Sequence, residues 1–202
     1  FDSEVGTFQF DGSVLIGSIS GEQMQADTAT ATSDAAQAAA DAAAAEAAAA
    51  AASQVLADMT SDDVLTPVEK GIVIQDYTAL SNEYSGLYSQ GTAYGVFTMR
   101  DLYQSAYNAL VTYLGTLTTP VAWDNLTGNT TIVGSTFRQK FTDVYYRRQE
   151  LLNAIYSEAK YLADQANYNA GVAGQEAAAA QSTANSAYNL ANGAIQTGGF
   201  VS

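Results

Sequence analysis

The segment 34–54 (DAAQAAADAAAAEAAAAAASQ) is almost entirely alanine, interrupted mainly by acidic and amide residues. Alanine has the highest helix propensity because its side chain loses no rotamer entropy, so the segment predicts a helix. An alanine methyl buries far less apolar area than a leucine side chain. The helix therefore needs a partner helix very close by or many small contacts along its length. A single exposed helix or a disordered linker is the alternative, and the presence of only two prolines in the chain argues against disorder.

The alanines also follow the spacing of a coiled-coil seam, with a small knob at each position. We predict that this seam joins copies of the chain. Its residues are Ala31, Ala35, Ala38, Ala42, Ala45, Ala49, Ala52 and Leu56. The same spacing returns near the end of the chain, at Ala173, Ala177, Ala180, Ala184, Ala187 and Ala191. Gly171 and Gly174 lie at the start of this second stripe and predict a bend or pause there.

The chain of 202 residues contains neither cysteine nor histidine. Disulfides, zinc sites, and catalysis by Ser-His-Asp or Cys-His groups therefore lack their usual ligands or bases. Acidic residues are plentiful, but no second functional group supports a hydrolase built on a carboxylate pair. We predict that the protein is not an enzyme.

Charge is distributed unevenly along the chain, whose formal net charge is −14. Residues 1–66 hold eleven acidic residues and no basic one, and all seven basic residues lie within 67–170. A protein that binds nucleic acid needs a basic face, and a helix that lies on a membrane surface needs basic residues along its polar side. No apolar run approaches the roughly 18 residues of a membrane span. These features predict no nucleic-acid partner and no membrane insertion.

Composition and periodicity divide the chain into five segments. We predict a short β segment at 1–24 that ends a preceding β domain, an Ala-rich coiled-coil helix at 25–58, a three-helix bundle at 59–170 whose last helix continues outward, a second Ala-rich coiled-coil helix at 171–197, and the start of a following segment at 198–202. The β prediction depends on the alternation of Phe8 and Phe10 with polar residues before Asp11-Gly12, a dipeptide that favours a hairpin turn.

The bundle prediction depends on apolar residues at helical spacing. One such face consists of Val73, Tyr77, Leu80, Tyr84 and Leu87. Thr66 and Glu69 form a capping box with Pro67 at the first helical position, and Thr98 with Asp101 resembles a second box. The predicted fold class is mainly α, with most of the tyrosines in the core or at its edge.

Oxygen-bearing side chains also occupy positions 1, 3, 5, 9 and 12 of the stretch 58–69. These are Asp58, Thr60, Asp62, Thr66 and Glu69. The spacing is that of a calcium-binding EF-hand loop, although Asp63 replaces the glycine that makes its sharp turn. The alternative is that Thr66 and Glu69 only cap a helix. Calcium is the one cofactor that the sequence suggests.

The segment 119–129 (TPVAWDNLTGN) is predicted to be a loop and contains the only tryptophan, Trp123. Exposed tryptophan and tyrosine side chains are favoured at recognition surfaces. Trp123 is therefore the candidate contact residue for a receptor or a carbohydrate.

Four segments together resemble a helical module of tail-tip, central-fibre and host-specificity proteins of tailed bacteriophages and prophages. They are QAAADAAAAEAAAA at 37–50, SDDVLTPVEK at 61–70, TTIVGSTFRQKFTDVYYRRQELLNAI at 130–155 and QSTANSAYNLAN at 181–192. The resemblance covers about residues 55–195 and has no catalytic residues to transfer. It implies an extended homotrimeric fibre in the phage tail, with other tail-tip or baseplate proteins, and a host receptor, as further partners.

From these features we expect an elongated, mainly α homotrimer in which Ala-rich coiled coils flank a small helical bundle, with short β segments at the ends. The expected function is that of a rigid oligomeric spacer that positions host-recognition domains. Two alternatives remain. In the first, the bundle and the Trp123 loop form a receptor-binding module that contacts the host surface. In the second, the chain is the stalk of a bacterial surface adhesin.

Overall fold

The computed structural model describes residues 13–198, with side chains described for 25–52 and 54–193. Four helices dominate it, and a pair of two-residue antiparallel strands completes it. In chain order the elements are α1 (Ser13–Met59), β1 (Val64–Leu65), α2 (Pro67–Ala93), α3 (Phe97–Thr116), β2 (Thr130–Thr131) and α4 (Gly134–Gly198). The predicted mainly α class is confirmed.

The chain divides into two compact units. One unit is residues 34–160, and the other contains the described residues 13–33 and 161–198. In the second unit Ala163 is buried, whereas residues 174–193 of α4 are exposed along their whole length. The 34–160 unit contains the apolar core and both polar loops, so the candidate sites for binding lie mainly in it.

Two predictions concern the ends of the chain. The strand predicted to reach residue 24 is wrong from Ser13 onward, since α1 begins there. Extending an existing helix costs little compared with starting one, so the Ala-rich segment propagates helix into its flank. The predicted hairpin at Phe8 and Phe10, and the segment after Gly198, lie outside the described residues. In the second Ala-rich segment, α4 continues as one helix through Gly171 and Gly174, where a bend or pause was predicted.

The core of the 34–160 unit receives one apolar stripe from each helix. Its large members are Leu56 and Met59 from α1, Val73, Leu80 and Leu87 from α2, Tyr103, Leu110 and Leu114 from α3, and Phe137, Phe141, Val144, Leu151, Leu152 and Ile155 from α4. The α2 face predicted from spacing is buried at Val73, Leu80 and Leu87, and Tyr77 and Tyr84 are partly buried against the same core. The unit contains four helices rather than the three predicted for 59–170, because the second half of α1 belongs to it.

The alanines of α1 pack against the protein's own chain. Ala38, Ala42 and Ala45 are buried in a single copy, with Ala45 only 2% exposed. Gln149 Nε2 on α4 donates a hydrogen bond to the Ala42 carbonyl at 3.2 Å. The predicted seam between chains is corrected at Ala38, Ala42, Ala45 and Leu56, since these residues lie in the core of one chain. Small side chains permit close helix pairing equally well within a chain and between chains, so the spacing alone does not distinguish the two.

Helices α2, α3 and α4 are joined by aromatic and ionic contacts. The rings of Tyr84 and Tyr107 stack with centroids 4.3 Å apart, and the Tyr107 hydroxyl shares a 2.6 Å hydrogen bond with Ser81. Arg148 of α4 forms a two-pronged ion pair with Glu83 of α2, and its Nη2 lies 2.6 Å from Oε2. Several tyrosines thus occupy the core or its edge, as the helical spacing predicted.

The end of α1 and the start of α4 meet at a polar junction. Arg138 Nη1 donates hydrogen bonds to Thr60 Oγ1 at 2.7 Å and to the Thr60 carbonyl at 3.2 Å. Asp63, with a positive φ of 59°, accepts a 2.7 Å hydrogen bond from the Gly134 amide and so caps α4. The Ile132 amide donates to the Asp63 carbonyl at 3.0 Å beside the β1–β2 pair. Each helix terminus is therefore satisfied by groups from the other segment.

The junction fixes the direction of the chain through the 34–160 unit. Thr60 after α1 contacts Arg138 near the start of α4, whereas the earlier Ala42 contacts the later Gln149. In this unit α1 and α4 therefore run antiparallel. Each contributes a rod of about 40 Å at 1.5 Å per residue. The chain enters at residue 34 and leaves at residue 160 at one end of the unit, and the junction lies at the opposite end.

The burial of α1 in a single chain predicts the effect of an Ala45→Leu substitution. Added methylene groups at this filled site should lower the free energy of unfolding by about 1–3 kcal/mol. The matched Ala47→Leu substitution, at an exposed position two residues away, should change it by less than about 0.5 kcal/mol. Urea unfolding at several protein concentrations measures both. Equal effects of the two substitutions would contradict the assignment of Ala45 to the core.

The close contacts at the junction predict that only glycine fits at position 134. A Cβ atom on Gly134 would lie 2.1 Å from the Thr60 carbonyl oxygen and 3.0 Å from Asp63 Oδ1. Gly134→Ala should therefore separate the two segments and cost about 2 kcal/mol or more. Gly115 of α3 has nothing within 4 Å of its Cβ position, so Gly115→Ala should stabilise the helix by about 0.5–1 kcal/mol. Thermal unfolding followed by circular dichroism compares the two, and a neutral Gly134→Ala variant would refute the close contact.

Candidate functional site

The segment 117–129, here called the tip loop, connects α3 to β2 beside the junction. Its two ends are held together by backbone contacts. The Thr131 amide donates to the Thr119 carbonyl at 3.0 Å, and Pro120 forms a bridge with Thr130. Within the loop the Trp123 amide donates to the Leu117 carbonyl at 3.0 Å. The tip loop therefore lies at the end of the 34–160 unit that is farthest from residues 34 and 160.

A buried lysine holds the inside of the tip loop. Lys70, in the first turn of α2, has no exposed surface. Its Nζ donates to the carbonyls of Ala122, Asn125 and Gly128 at 2.9, 2.8 and 2.7 Å. Burial lowers the pKa of Lys70, and the nearby Asp124 carboxylate partly opposes this effect. All three donors of the ammonium group are thus used on one loop.

The predicted capping box explains why Lys70 is so well placed. The Thr66 amide and hydroxyl donate to Glu69 Oε2 at 2.8 and 2.7 Å, and Thr66 Oγ1 accepts from the Glu69 amide. This box is confirmed. It fixes the first turn of α2, and therefore the starting point of the lysine side chain. The second predicted box is wrong: α3 begins after Val96, with no side-chain cap, and Asp101 pairs instead with Arg100.

Trp123 is partly buried and packs edge-to-face on Tyr77, with ring centroids 5.3 Å apart. It therefore supports the loop from beneath and is not a freely exposed aromatic platform. Exposed side chains lie on both sides of it in the loop, at Thr118, Thr119 and Pro120 and again at residues 124–127. Leu126 is 53% exposed, and Asn125 Oδ1 accepts from the Thr127 amide and hydroxyl at 2.9 and 2.8 Å. Leu126 is therefore the large apolar side chain that the loop exposes.

The candidate calcium ligands make separate local contacts. Asp62 Oδ1 accepts from the Val64 amide at 3.1 Å, and Asp58 Oδ1 accepts from Gln54 at 3.4 Å. Thr60 is buried and donates its hydroxyl hydrogen to the Leu56 carbonyl at 2.6 Å. Glu69 belongs to the capping box. Among the described residues there is no group of three or more acidic side chains placed to hold a metal ion, and calcium binding here stays a prediction from spacing.

The remaining candidate seam residues lie on α1 and on α4. Ala31, Ala35, Ala49 and Ala52 are half-buried, and Leu56 is in the core. In α4, Ala173 is half-buried, whereas Ala177, Ala180, Ala184, Ala187 and Ala191 are exposed in the single chain. Two large apolar side chains lie near this exposed stripe: Tyr188 is 67% exposed and Leu190 is 78% exposed. A seam between chains stays a prediction for this part of α4.

A cleft of about 350 Å³ lies between α1, α2 and α4 in the 34–160 unit. Alanines 48, 51 and 52 form part of its wall, and their small volume leaves the space open. Its polar residues are the Glu83–Arg148 ion pair, Tyr145 and Asp76, whose pKa is raised by burial. The cleft thus combines a wall of alanines with a carboxylate, a tyrosine and an ion pair.

Sequence reasoning missed the role of Lys70, although a signal for it was present. Lys70 lies three residues before Val73, in phase with the apolar stripe that continues at Tyr77 and Leu80. A lysine in such a stripe must either extend to solvent or find buried acceptors. The structure shows the second outcome, with acceptors 52 to 58 positions away in sequence.

None of the described helices combines the length and apolar content that a membrane span requires. No family model and no solved structure matches the chain. A curated relative, the tail fiber protein of Enterococcus phage phiEF24C, is 38% identical over 111 residues. The match covers 55% of this chain and 6% of that relative, so the chain corresponds to a small part of a much longer protein. This similarity supports a phage tail fibre-like chain that is located in the tail of the virion.

Proposed function

We propose that the chain is a structural segment of a phage tail fibre whose copies associate through the exposed alanine stripe of α4. The observation that carries this proposal is the exposure of the side chains of residues 174–192, among which Tyr188 and Leu190 lie beside that stripe. A helix that packs on nothing is marginal in water, even when it is rich in alanine. Pairing with copies of itself buries the two large side chains and brings the backbones close together.

Three copies are the assembly that we propose, since the resemblance to phage fibre modules implies homotrimers and the phage relative is itself a tail fibre protein. Further partners are other proteins of the tail tip or baseplate. The phage relative favours this assignment over the stalk of a bacterial adhesin. A structural role also agrees with the absence of histidine and cysteine, and we propose no enzymatic activity.

The direction of the chain refines the proposed spacer role. In a segment that lengthens a fibre, the chain must enter at one end and leave at the opposite end. In the 34–160 unit the chain enters and leaves at the same end, because α1 and α4 run antiparallel there. We therefore propose that the 34–160 unit does not itself lengthen the fibre, and that the spacer function belongs to the later part of α4.

Association through α4 predicts different effects for two neighbouring substitutions. Ala180→Glu places a charge in the stripe, whereas Ala178→Glu places the same charge on the other side of the helix, away from both the stripe and Leu190. The unmodified chain should sediment as an assembly of three times 21.1 kDa. Ala180→Glu should weaken this association at least tenfold, equivalent to about 1.4 kcal/mol, because a carboxylate is desolvated in the seam. Ala178→Glu should leave it nearly unchanged. A monomeric unmodified chain would refute the proposal.

A second candidate function is contact with the host surface through the tip loop. The observation that favours it is the combination of rigid anchoring by Lys70 with exposure of Leu126 at the end opposite to the chain termini of the unit. A loop that is already ordered loses little conformational entropy when it binds. The helical unit then serves to hold this loop away from the point where the chain enters and leaves.

If the tip loop contacts the host, Leu126→Asp should reduce binding of the labelled protein to intact Enterococcus cells by about tenfold or more. The substitution removes the central apolar contact and introduces a charge. The control is Ser89→Asp, which adds the same charge at an exposed site on α2. Cell binding measured by flow cytometry gives the comparison. Equal binding by both variants and the unmodified protein would assign the tip loop a structural role only.

A further inference from the structure

The environment of Lys70 resembles the environment that proteins build for a small cation. Three backbone carbonyl oxygens, from Ala122, Asn125 and Gly128, point at one nitrogen from distances of 2.7 to 2.9 Å. Carbonyl oxygens arranged around one point are the ligands that replace the hydration shell of monovalent cations in selective sites. Here the cation is covalently attached to α2.

The tip loop needs such a cation because its inner carbonyls converge. Three partial negative charges facing one buried point repel each other and are costly if they lack hydrogen bonds. The Ala122 carbonyl has one further partner, the Asn125 amide at 3.0 Å. The positive charge is not placed in a direct ion pair with a carboxylate, and Asp124 acts on it only through space. The carbonyl dipoles therefore carry most of the stabilisation of the ammonium group.

The lysine stem also fills the space between α2 and the loop. Lys70 is fully buried, and its own amide donates to the Thr66 carbonyl at 2.9 Å within the capped first turn. Neither the backbone nor the charged group therefore has freedom to move away from the loop. A shorter side chain at this position opens a space lined by the same three oxygens.

We infer that Lys70 is a built-in monovalent cation around which the tip loop folds, and that shortening its side chain creates a site for ammonium-type cations. This inference concerns the same loop as the second candidate function, but it does not depend on receptor binding. The order of the loop is intrinsic to the chain and independent of dissolved ions, because its cation cannot dissociate.

Fluorescence of Trp123 tests the inference, since this residue is the only tryptophan and lies between two of the three carbonyls. In the full chain, Lys70→Ala should shift the emission to longer wavelength as Trp123 leaves Tyr77. Ammonium or methylammonium chloride should reverse most of that shift in a saturable way. Tetramethylammonium, which has no N–H donors, should not do so at the same ionic strength. Equal effects of ammonium and tetramethylammonium would overturn the inference.

Two variants serve as controls. Lys70→Met keeps a long side chain but has no charge, so it should show the shift without rescue by ammonium. Retention of the unmodified emission by Lys70→Met would show that the loop needs no cation and would overturn the inference. Lys140→Ala removes a different lysine, which lies on α4 and is only half-buried, and should leave the emission unchanged.

A measurement on the unmodified protein keeps the inference testable if the variants do not fold. Acetic anhydride labelling followed by mass spectrometry compares the three lysines of the native chain. Lys70 should react about tenfold or more slowly than Lys140, since it is reached only when the loop opens. Labelling of Lys70 at the rate of Lys140 would overturn the inference whatever the result of cell binding, which reports on the receptor and not on the loop fold.

Discussion

The close antiparallel packing of α1 against α4 is the constraint on which the rest of the structure depends. Ala38, Ala42 and Ala45 are buried in the core, and the Ala42 carbonyl is in contact with Gln149 of α4, so the small methyl groups leave room for other elements to approach α1. Helices α2 and α3 then complete the core, where larger residues such as Phe141 and Leu110 fill the wider space. Alanine in this chain is therefore a determinant of packing geometry as well as a helix former.

Polar contacts between distant segments determine how the far end of the 34–160 unit is closed. Asp63 and Arg138 satisfy the adjoining ends of α4 and α1, and Lys70 satisfies the inner carbonyls of the tip loop. Lys70 follows the capping box and Asp63 directly precedes the β1–β2 pair, so local structure fixes the backbone of both residues. The tip loop and the junction are thus supported by charged residues from distant parts of the chain.

The features predicted correctly from the sequence are those that depend on local spacing. The apolar stripe through Val73 and Leu80 and the capping box at Thr66 follow from helical periodicity and from the chemistry of a helix N-terminus. Features that depend on distant partners were not predictable in this way. The alanine stripe of α1 fits a helix of the same chain as well as one of another chain, and the acceptors of Lys70 lie more than fifty residues away. The β prediction failed for residues 13–24 because helix propagation outweighed local β propensity.

The shared entry and exit point of the 34–160 unit has a mechanical consequence. Tension that draws residues 34 and 160 apart acts on the α1–α4 pair from its open end, so that the contacts peel successively, one helical turn after another. A pair loaded in shear would resist with all its turns at once. The junction of Asp63, Gly134 and Arg138 lies at the closed end of the pair, and in such a peeling process it is the last contact to feel the load.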